Sequence, residues 1–138
     1  MEKTTIEKDI PVFYVTANSF PDDVPNAYER LHSKISDATE RRFFGISHPN
    51  EKGVIIYKAA AEELEPGEGA KYGCETFTIK KGEYISFYIK DHMKDSASIG
   101  NAFKQLLDSP DIDHANGYCL EIYKSYTDPD VNCLVPLK

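Results

Sequence analysis

Two stretches of this chain, roughly 75 residues apart, repeat one another. Asn26-Ala27-Tyr28-Glu29-Arg30-Leu31 recurs as Asn101-Ala102-Phe103-Lys104-Gln105-Leu106 at an offset of 75. Phe13-Tyr14-Val15 recurs as Phe87-Tyr88-Ile89 at an offset of 74. Carrying 75 forward sets Phe43–His48 against Tyr118–Tyr123. An internal repeat restricts the topology before any single element is assigned, because both halves must fold alike and share a core. Each half reads strand, helix, strand, strand, over about 11–61 and 74–137.

The local signals agree with that order. Pro11 to Ala17 is rich in β-branched and aromatic residues, as a strand is. Val24, Ala27, Tyr28, Leu31 and Ile35 mark one face of a helix that Asp23 is placed to cap, with Pro25 in its first turn. Phe43–His48 and Gly53–Ala61 form two strands around a Pro-Asn-Glu-Lys-Gly turn. The acidic, glycine-containing stretch Glu62–Gly73 reads as a surface connection. Cys74–Ile79 and Glu83–Lys90, around Lys80-Lys81-Gly82, read as a hairpin. Ile99, Ala102, Phe103, Leu106 and Leu107 mark a second amphipathic helix, with Ser96 or Ser98 as its cap. The chain closes with strands at Tyr118–Lys124 and near Asn132–Leu137; the polar residues 1–9 are expected to fray. Such halves predict an α+β domain, a mainly antiparallel sheet with both helices on one side. With 138 residues, one domain over 1–138 is the expectation.

Tyr118-Cys119-Leu120-Glu121-Ile122-Tyr123-Lys124 alternates strictly. Tyr118, Leu120 and Ile122 point one way, and Cys119, Glu121 and Tyr123 the other. Glu121 is a carboxylate in the middle of an otherwise apolar strand. By alternation Phe13, Val15, Ile85, Phe87 and Ile89 lie under the helices. Tyr14, Tyr84, Ser86 and Tyr88 then face away, on the side also assigned to Glu121 and Tyr123. Tyrosines around one acid suit a small-molecule groove, since each offers an apolar body and a polar tip.

Three stretches resemble the GyrI-like, or bacterial transcription-activator effector-binding, family. They are Phe77-Thr78-Ile79-Lys80-Lys81-Gly82-Glu83-Tyr84-Ile85-Ser86-Phe87, the helix Ile99–Leu107, and Leu120-Glu121-Ile122-Tyr123 through Asp128-Pro129 to Leu134-Val135-Pro136-Leu137. The resemblance implies a duplicated fold with a ligand cleft on its pseudo-twofold axis. It implies binding of small, often cationic or amphipathic compounds, with Glu121 at the bottom of the pocket and Tyr84 beside it. Tyr14 and Tyr57 match the pattern in the first half, and Tyr88, Tyr123 and Cys119 complete the expected lining. Some relatives carry a helix-turn-helix; about ten residues precede the first strand here, so a stand-alone module is expected, acting as sensor or ligand sink. A cation bound beside Glu121 would offset the cost of removing a carboxylate from water. Aromatic faces would add about 0.5–2 kcal/mol each.

Two other functions fit the residues. A hydrolase of reactive electrophiles would use Glu121 to activate water, with Tyr84 or Tyr88 donating a hydrogen bond. A protein inhibitor of a topoisomerase would use Glu62-Glu63-Leu64-Glu65 and Glu68 to imitate nucleic-acid charge. A formal charge of -7 without a basic cluster argues against direct nucleic-acid binding. No apolar run reaches the roughly 20 residues of a membrane span and no signal peptide is evident, so a cytoplasmic location is expected. Cys74, Cys119 and Cys133, and His32, His48, His92 and His114, lack metal-ligand spacing. Asp111 and Asp113 lack that of a calcium loop, and no cofactor motif is present. Oligomeric state is open.

Overall fold

The computed structural model describes residues 1–35, 40–114 and 117–138. The loop expected over 108–117 thus includes two residues, 115–116, outside the description. In chain order the elements are β1 (Glu2–Ile6), β2 (Ile10–Thr16), α1 (Val24–Lys34), β3 (Phe43–Pro49), β4 (Ile55–Glu62), α2 (Glu68–Lys71), β5 (Glu75–Ile79), β6 (Gly82–Ile89), a 3-10 turn (His92–Lys94), α3 (Ser98–Leu107), β7 (Cys119–Tyr123) and β8 (Val131–Pro136). Among the described residues, all eight strands join one antiparallel sheet in the order β1-β6-β8-β7-β3-β4-β2-β5. The order is palindromic about the β7–β3 pair, which is the pseudo-twofold relation that the repeat implies.

The edge strands are exchanged between the halves. β1 precedes the first half yet pairs with β6 of the second, Glu2 opposite Ser86 and Ile6 opposite Gly82. β5 opens the second half yet pairs with β2 of the first, Ile10 opposite Ile79. The expected β5–β6 hairpin is therefore absent, and residues 2–6 are a paired edge strand rather than a frayed end. In a flat sheet β1 and β2 would lie six strand spacings apart, about 29 Å. The link from Ile6 to Ile10 spans at most about 14 Å, and that from Ile79 to Gly82 about 11 Å. Both links are possible only if the sheet curls until its two ends approach.

The inside of that curl is a buried apolar core. Ile6, Ile10, Val12, Phe44, Ile46, Ala60, Ile79, Tyr84, Leu120 and Leu134 pack there. The outer face carries the helices in two layers. Ala27 and Leu31 of α1 cover Phe13, Phe43, Ala59 and Ala61; Ala102 and Leu106 of α3 cover Ile89, Val131, Cys133 and Val135. The small side chains of Ala59 and Ala61 let α1 sit close on β4, and each buried leucine contributes about 1.5–3 kcal/mol. Phe13, Val15, Ile85, Phe87 and Ile89 lie under the helices as alternation required.

Three local expectations change. Asp23 precedes α1 but makes no cap with its side chain; its carboxylate accepts from the Asn18 N–H at 2.7 Å and pairs with Arg30 at 2.9 Å. Ala97, not Ser96 or Ser98, precedes α3, and the Ser98 hydroxyl bonds the His92 carbonyl. Glu62–Gly73 is anchored rather than a loose surface link. It contains α2, whose Glu68 is buried against Arg41 at 3.0 and 3.2 Å and also accepts the Leu64 and Glu65 N–H groups. Glu62 pairs with Arg42 at 2.8 Å, and Glu63 accepts the Gly69 N–H. Three of the four acids considered for nucleic-acid mimicry are thus engaged within the chain.

Candidate functional site

Glu121 sits on β7, which borders the axis, and its side chain points to the helix-bearing face. The register fixes this: Glu121 lies opposite Gly45 on one side and Cys133 on the other, and Cys133 belongs to the α3 layer. Tyr123, two residues on, packs in both helix layers. The carboxylate therefore stands in the seam between the α1 and α3 layers, close to the axis. The uniform offset of 75 matched Glu121 with Ile46. Ile46 instead pairs with Leu120 and points into the curl, and the residue that faces Glu121 across the β3–β7 pair is Gly45.

Three tyrosines surround the acid. Tyr123 donates to Oε1 at 2.5 Å and Tyr57, from β4, donates to the same oxygen at 3.1 Å. The Tyr28 hydroxyl, from α1, lies 2.8 Å from that of Tyr57 and donates to the Phe44 carbonyl at 2.9 Å. Each half thus supplies one hydroxyl to Oε1, and such charge-assisted bonds are the stronger kind. Oε2 receives no protein hydrogen bond, and no lysine, arginine or histidine pairs with the carboxylate, among the described residues. Glu121 is only 6% exposed.

Burial raises the Glu121 carboxyl above its ordinary range, and the bonds from Tyr123 and Tyr57 pull it only partly back. Burial, followed by the negative charge of Glu121, holds Tyr28, Tyr57 and Tyr123 far above an ordinary phenol. They remain donors at any physiological pH. Cys119 is pushed up to about 11 by burial and then by Glu121, and Cys133 rises for the same reasons. Both shifts favour the neutral thiol near neutrality.

Gly45 makes this arrangement possible. A Cβ on it would stand 2.1 Å from the Tyr57 hydroxyl oxygen and 2.9 Å from Cδ of Glu121. Further rings continue the lining outward: Phe20 stacks on Tyr57 at 5.8 Å, and His92 meets Tyr123 edge-on at 5.7 Å.

Of the residues singled out by sequence, the structure gathers Glu121, Tyr57, Tyr123 and Cys119. It separates Tyr14, Tyr84 and Tyr88 from them by the thickness of the sheet. Tyr84 is a core residue inside the curl, its hydroxyl donating to the Lys80 carbonyl at 2.7 Å and lying 2.6 Å from that of Tyr118. Tyr14 donates to Glu75 at 2.9 Å, and its ring lies under the Lys58 ammonium. Tyr88 donates to Asp130 at 2.8 Å. A catalytic set of Glu121 with Tyr84 or Tyr88 is thereby ruled out, because those hydroxyls face the opposite side. Gly45, Tyr28, Phe20 and His92 escaped the sequence reading. Only Gly45 carried a signal, since a glycine inside a strand marks a close approach.

A buried carboxylate with no cationic partner among the described residues, set in an aromatic seam between two helices, has the make-up of a small-molecule site. The chain belongs to the GyrI-like family: the model of the GyrI-like small molecule binding domain matches residues 7–137. Two solved structures share the fold. SAV2435, in a structure bound to tetraphenylphosphonium, aligns with a TM-score of 0.65 at 11% identity, over 99% of this chain and 93% of that one. The integron cassette protein VCH_CASS2, from the mobile metagenome of Vibrio cholerae, aligns with a TM-score of 0.63 at 15% identity, over 99% and 95%. No curated protein matches the chain in sequence.

Proposed function

We propose that this domain binds one amphipathic, singly charged cation in the seam between α1 and α3, and acts as a sensor or sequestering module inside the cell. The observation that carries this reading is Glu121: buried, bonded through Oε1 alone, and without a cationic partner among the described residues. Isolating a carboxylate from water is costly unless an opposite charge arrives. The bonds from Tyr57 and Tyr123 relieve part of that cost and aim the acid. A ligand cation would relieve the rest, while the rings of Tyr28, Tyr57 and Tyr123 would receive its apolar groups. Binding of tetraphenylphosphonium by a protein of the same fold supports the choice of ligand class. No helix among the described residues is long and apolar enough to cross a membrane.

The test is a thermal-shift titration with tetraphenylphosphonium, comparing wild type with Glu121→Gln and assaying the recovered compound. Glutamine keeps an oxygen to accept from both tyrosines, so the seam stays folded. Saturation at 100 times the dissociation constant stabilises by about 2.7 kcal/mol. A shift present in wild type and lost in Glu121→Gln, with the compound intact, supports the proposal. No shift in wild type, or an equal shift in both proteins, overturns it.

A further inference from the structure

We propose that Phe20 and His92 set the specificity of this seam, favouring cations that carry aryl rings over alkyl cations of similar size. The inference rests on the cation-binding reading above and names the ligand class more narrowly.

Five rings form an unbroken chain around Glu121. Phe20 stacks on Tyr57 at 5.8 Å and 21°. Tyr57 meets Tyr28 edge-on at 6.1 Å, and Tyr28 meets Tyr123 at 6.2 Å. Tyr123 meets His92 at 5.7 Å and 66°. The three inner rings are tyrosines bound to the carboxylate or to one another. The two outer rings come from equivalent places in the halves, the loops that lead into α1 and α3. Each backs the tyrosine that donates to Oε1: Phe20 backs Tyr57, and His92 backs Tyr123.

Both outer rings keep exposed surface, and the loops that carry them are anchored. Phe20 is 48% exposed, although it is a large apolar side chain packed against a ring that is nearly fully buried; His92 is half-buried. Asp23 closes the Phe20 loop by accepting from Asn18 N–H and pairing with Arg30. The His92 loop is held by the His92 N–H on the Pro129 carbonyl at 2.9 Å and by the Asp91 N–H on Asp130 at 2.8 Å. These anchors spare the two ring side chains, so replacing either ring leaves its loop in place. Rings fixed in advance lose little freedom when they meet a ligand.

The division of labour follows from the chemistry. Glu121 attracts any monocation through charge and cannot tell an aryl from an alkyl shell. An aryl shell adds stacked and edge-to-face contacts with Phe20 and His92, beyond the area it covers. An alkyl shell of the same size gains only the covered area.

The test measures dissociation constants by calorimetry for tetraphenylphosphonium and tetrabutylphosphonium, on wild type, Phe20→Leu and His92→Leu. Leucine keeps apolar bulk and removes the ring. Each variant is expected to weaken tetraphenylphosphonium about 2- to 10-fold, and to leave tetrabutylphosphonium within about twofold. A general structural defect would weaken both cations together, so the aryl-to-alkyl ratio is the deciding quantity. If both cations bind in a Glu121-dependent way but neither variant changes the ratio, Phe20 and His92 are not specificity residues and the cation reading stands alone. If wild type binds neither cation, both proposals fall.

Discussion

Gly45 lies directly across the β3–β7 pair from Glu121, and the hydrogen of the glycine occupies the space that the Tyr57 hydroxyl and the Glu121 carboxylate require. A methyl group there would meet the Tyr57 Cζ at 2.8 Å as well as its oxygen. One half of the duplicated domain supplies the acid, and the other supplies the absence of a side chain that lets the acid and its hydroxyl donor meet. The site is therefore asymmetric on a nearly symmetric scaffold: one carboxylate, one charge.

Gly45→Ala is expected to destabilise the domain by about 1–3 kcal/mol, the usual range for overpacking a filled site. It should also displace Tyr57 from Glu121. Urea denaturation reads the first effect, and loss of the tetraphenylphosphonium thermal shift reads the second. An alanine variant with wild-type stability and ligand response would show that the seam is looser than its geometry states.

Glu121 should make the apo protein less stable as pH rises. Burial raises its carboxyl in the native state above the ordinary value of 4.5, so the native state holds the proton more tightly than the unfolded chain. That contribution is fully present below the ordinary value and is lost as pH climbs through the raised one. In the absence of ligand, Glu121→Gln should therefore gain on wild type as pH rises above 4.5, the ordinary carboxyl value, and urea midpoints of the two proteins give the difference. With tetraphenylphosphonium present the order reverses, because only the ionised acid draws the cation. A difference that does not vary with pH would contradict a raised Glu121 carboxyl.

Tyr84 serves the core rather than the ligand. Tyr84→Phe removes its donation to the Lys80 carbonyl and its contact with Tyr118, and should cost about 1 kcal/mol while leaving the cation response intact. Tyr57→Phe removes a donor from Glu121 and should weaken cation binding. Thermal-shift titration of the two variants side by side checks the contrast.

The Arg41–Glu68 pair fastens α2 to the sheet. Both side chains are almost fully enclosed, 2% and 10% exposed. Burial alone would raise the Glu68 carboxyl, but Arg41 and the Leu64 and Glu65 N–H groups outweigh it and hold the carboxyl below its usual range. Glu68→Gln breaks the pair and should cost about 3–5 kcal/mol. Arg41→Met with Glu68→Leu removes both charges and should cost much less than the single change. Equal losses in the two proteins, measured by denaturation, would contradict a burial-driven effect.

Alternation made much of this molecule legible. It separated Leu120 and Ile122 from Glu121 and Tyr123, and it placed Phe13, Val15, Phe87 and Ile89 beneath helices whose faces were evident from Ala27, Leu31, Ala102 and Leu106. The repeat made the symmetry legible as well. What periodicity could not reveal was which face of β7 met the helices, since both its faces are apolar apart from Glu121. A helix-free face suggests an open one, lined by the tyrosines of β2 and β6. The sheet instead folds that face into a buried core, because β1 crosses to β6 and β5 to β2. Those pairings join residues far apart in sequence and leave no local trace. The rings at Phe20 and His92 escaped for a related reason: they sit in loops, and only the assembled fold brings them to the tyrosines.

The exchange of edge strands also constrains the order of assembly. The Ser86 hydroxyl bonds the carbonyl of Glu2, 84 residues earlier, so β1 has no partner until most of the chain has been made. On a ribosome the first strand must wait, with its backbone unpaired, while the first half folds behind it. Contacts of such long separation slow folding, and an unpaired strand edge invites pairing with another chain. Neither half can close its own sheet alone. Two copies of the chain at high concentration have, in the exchanged strand, a ready means of completing one another.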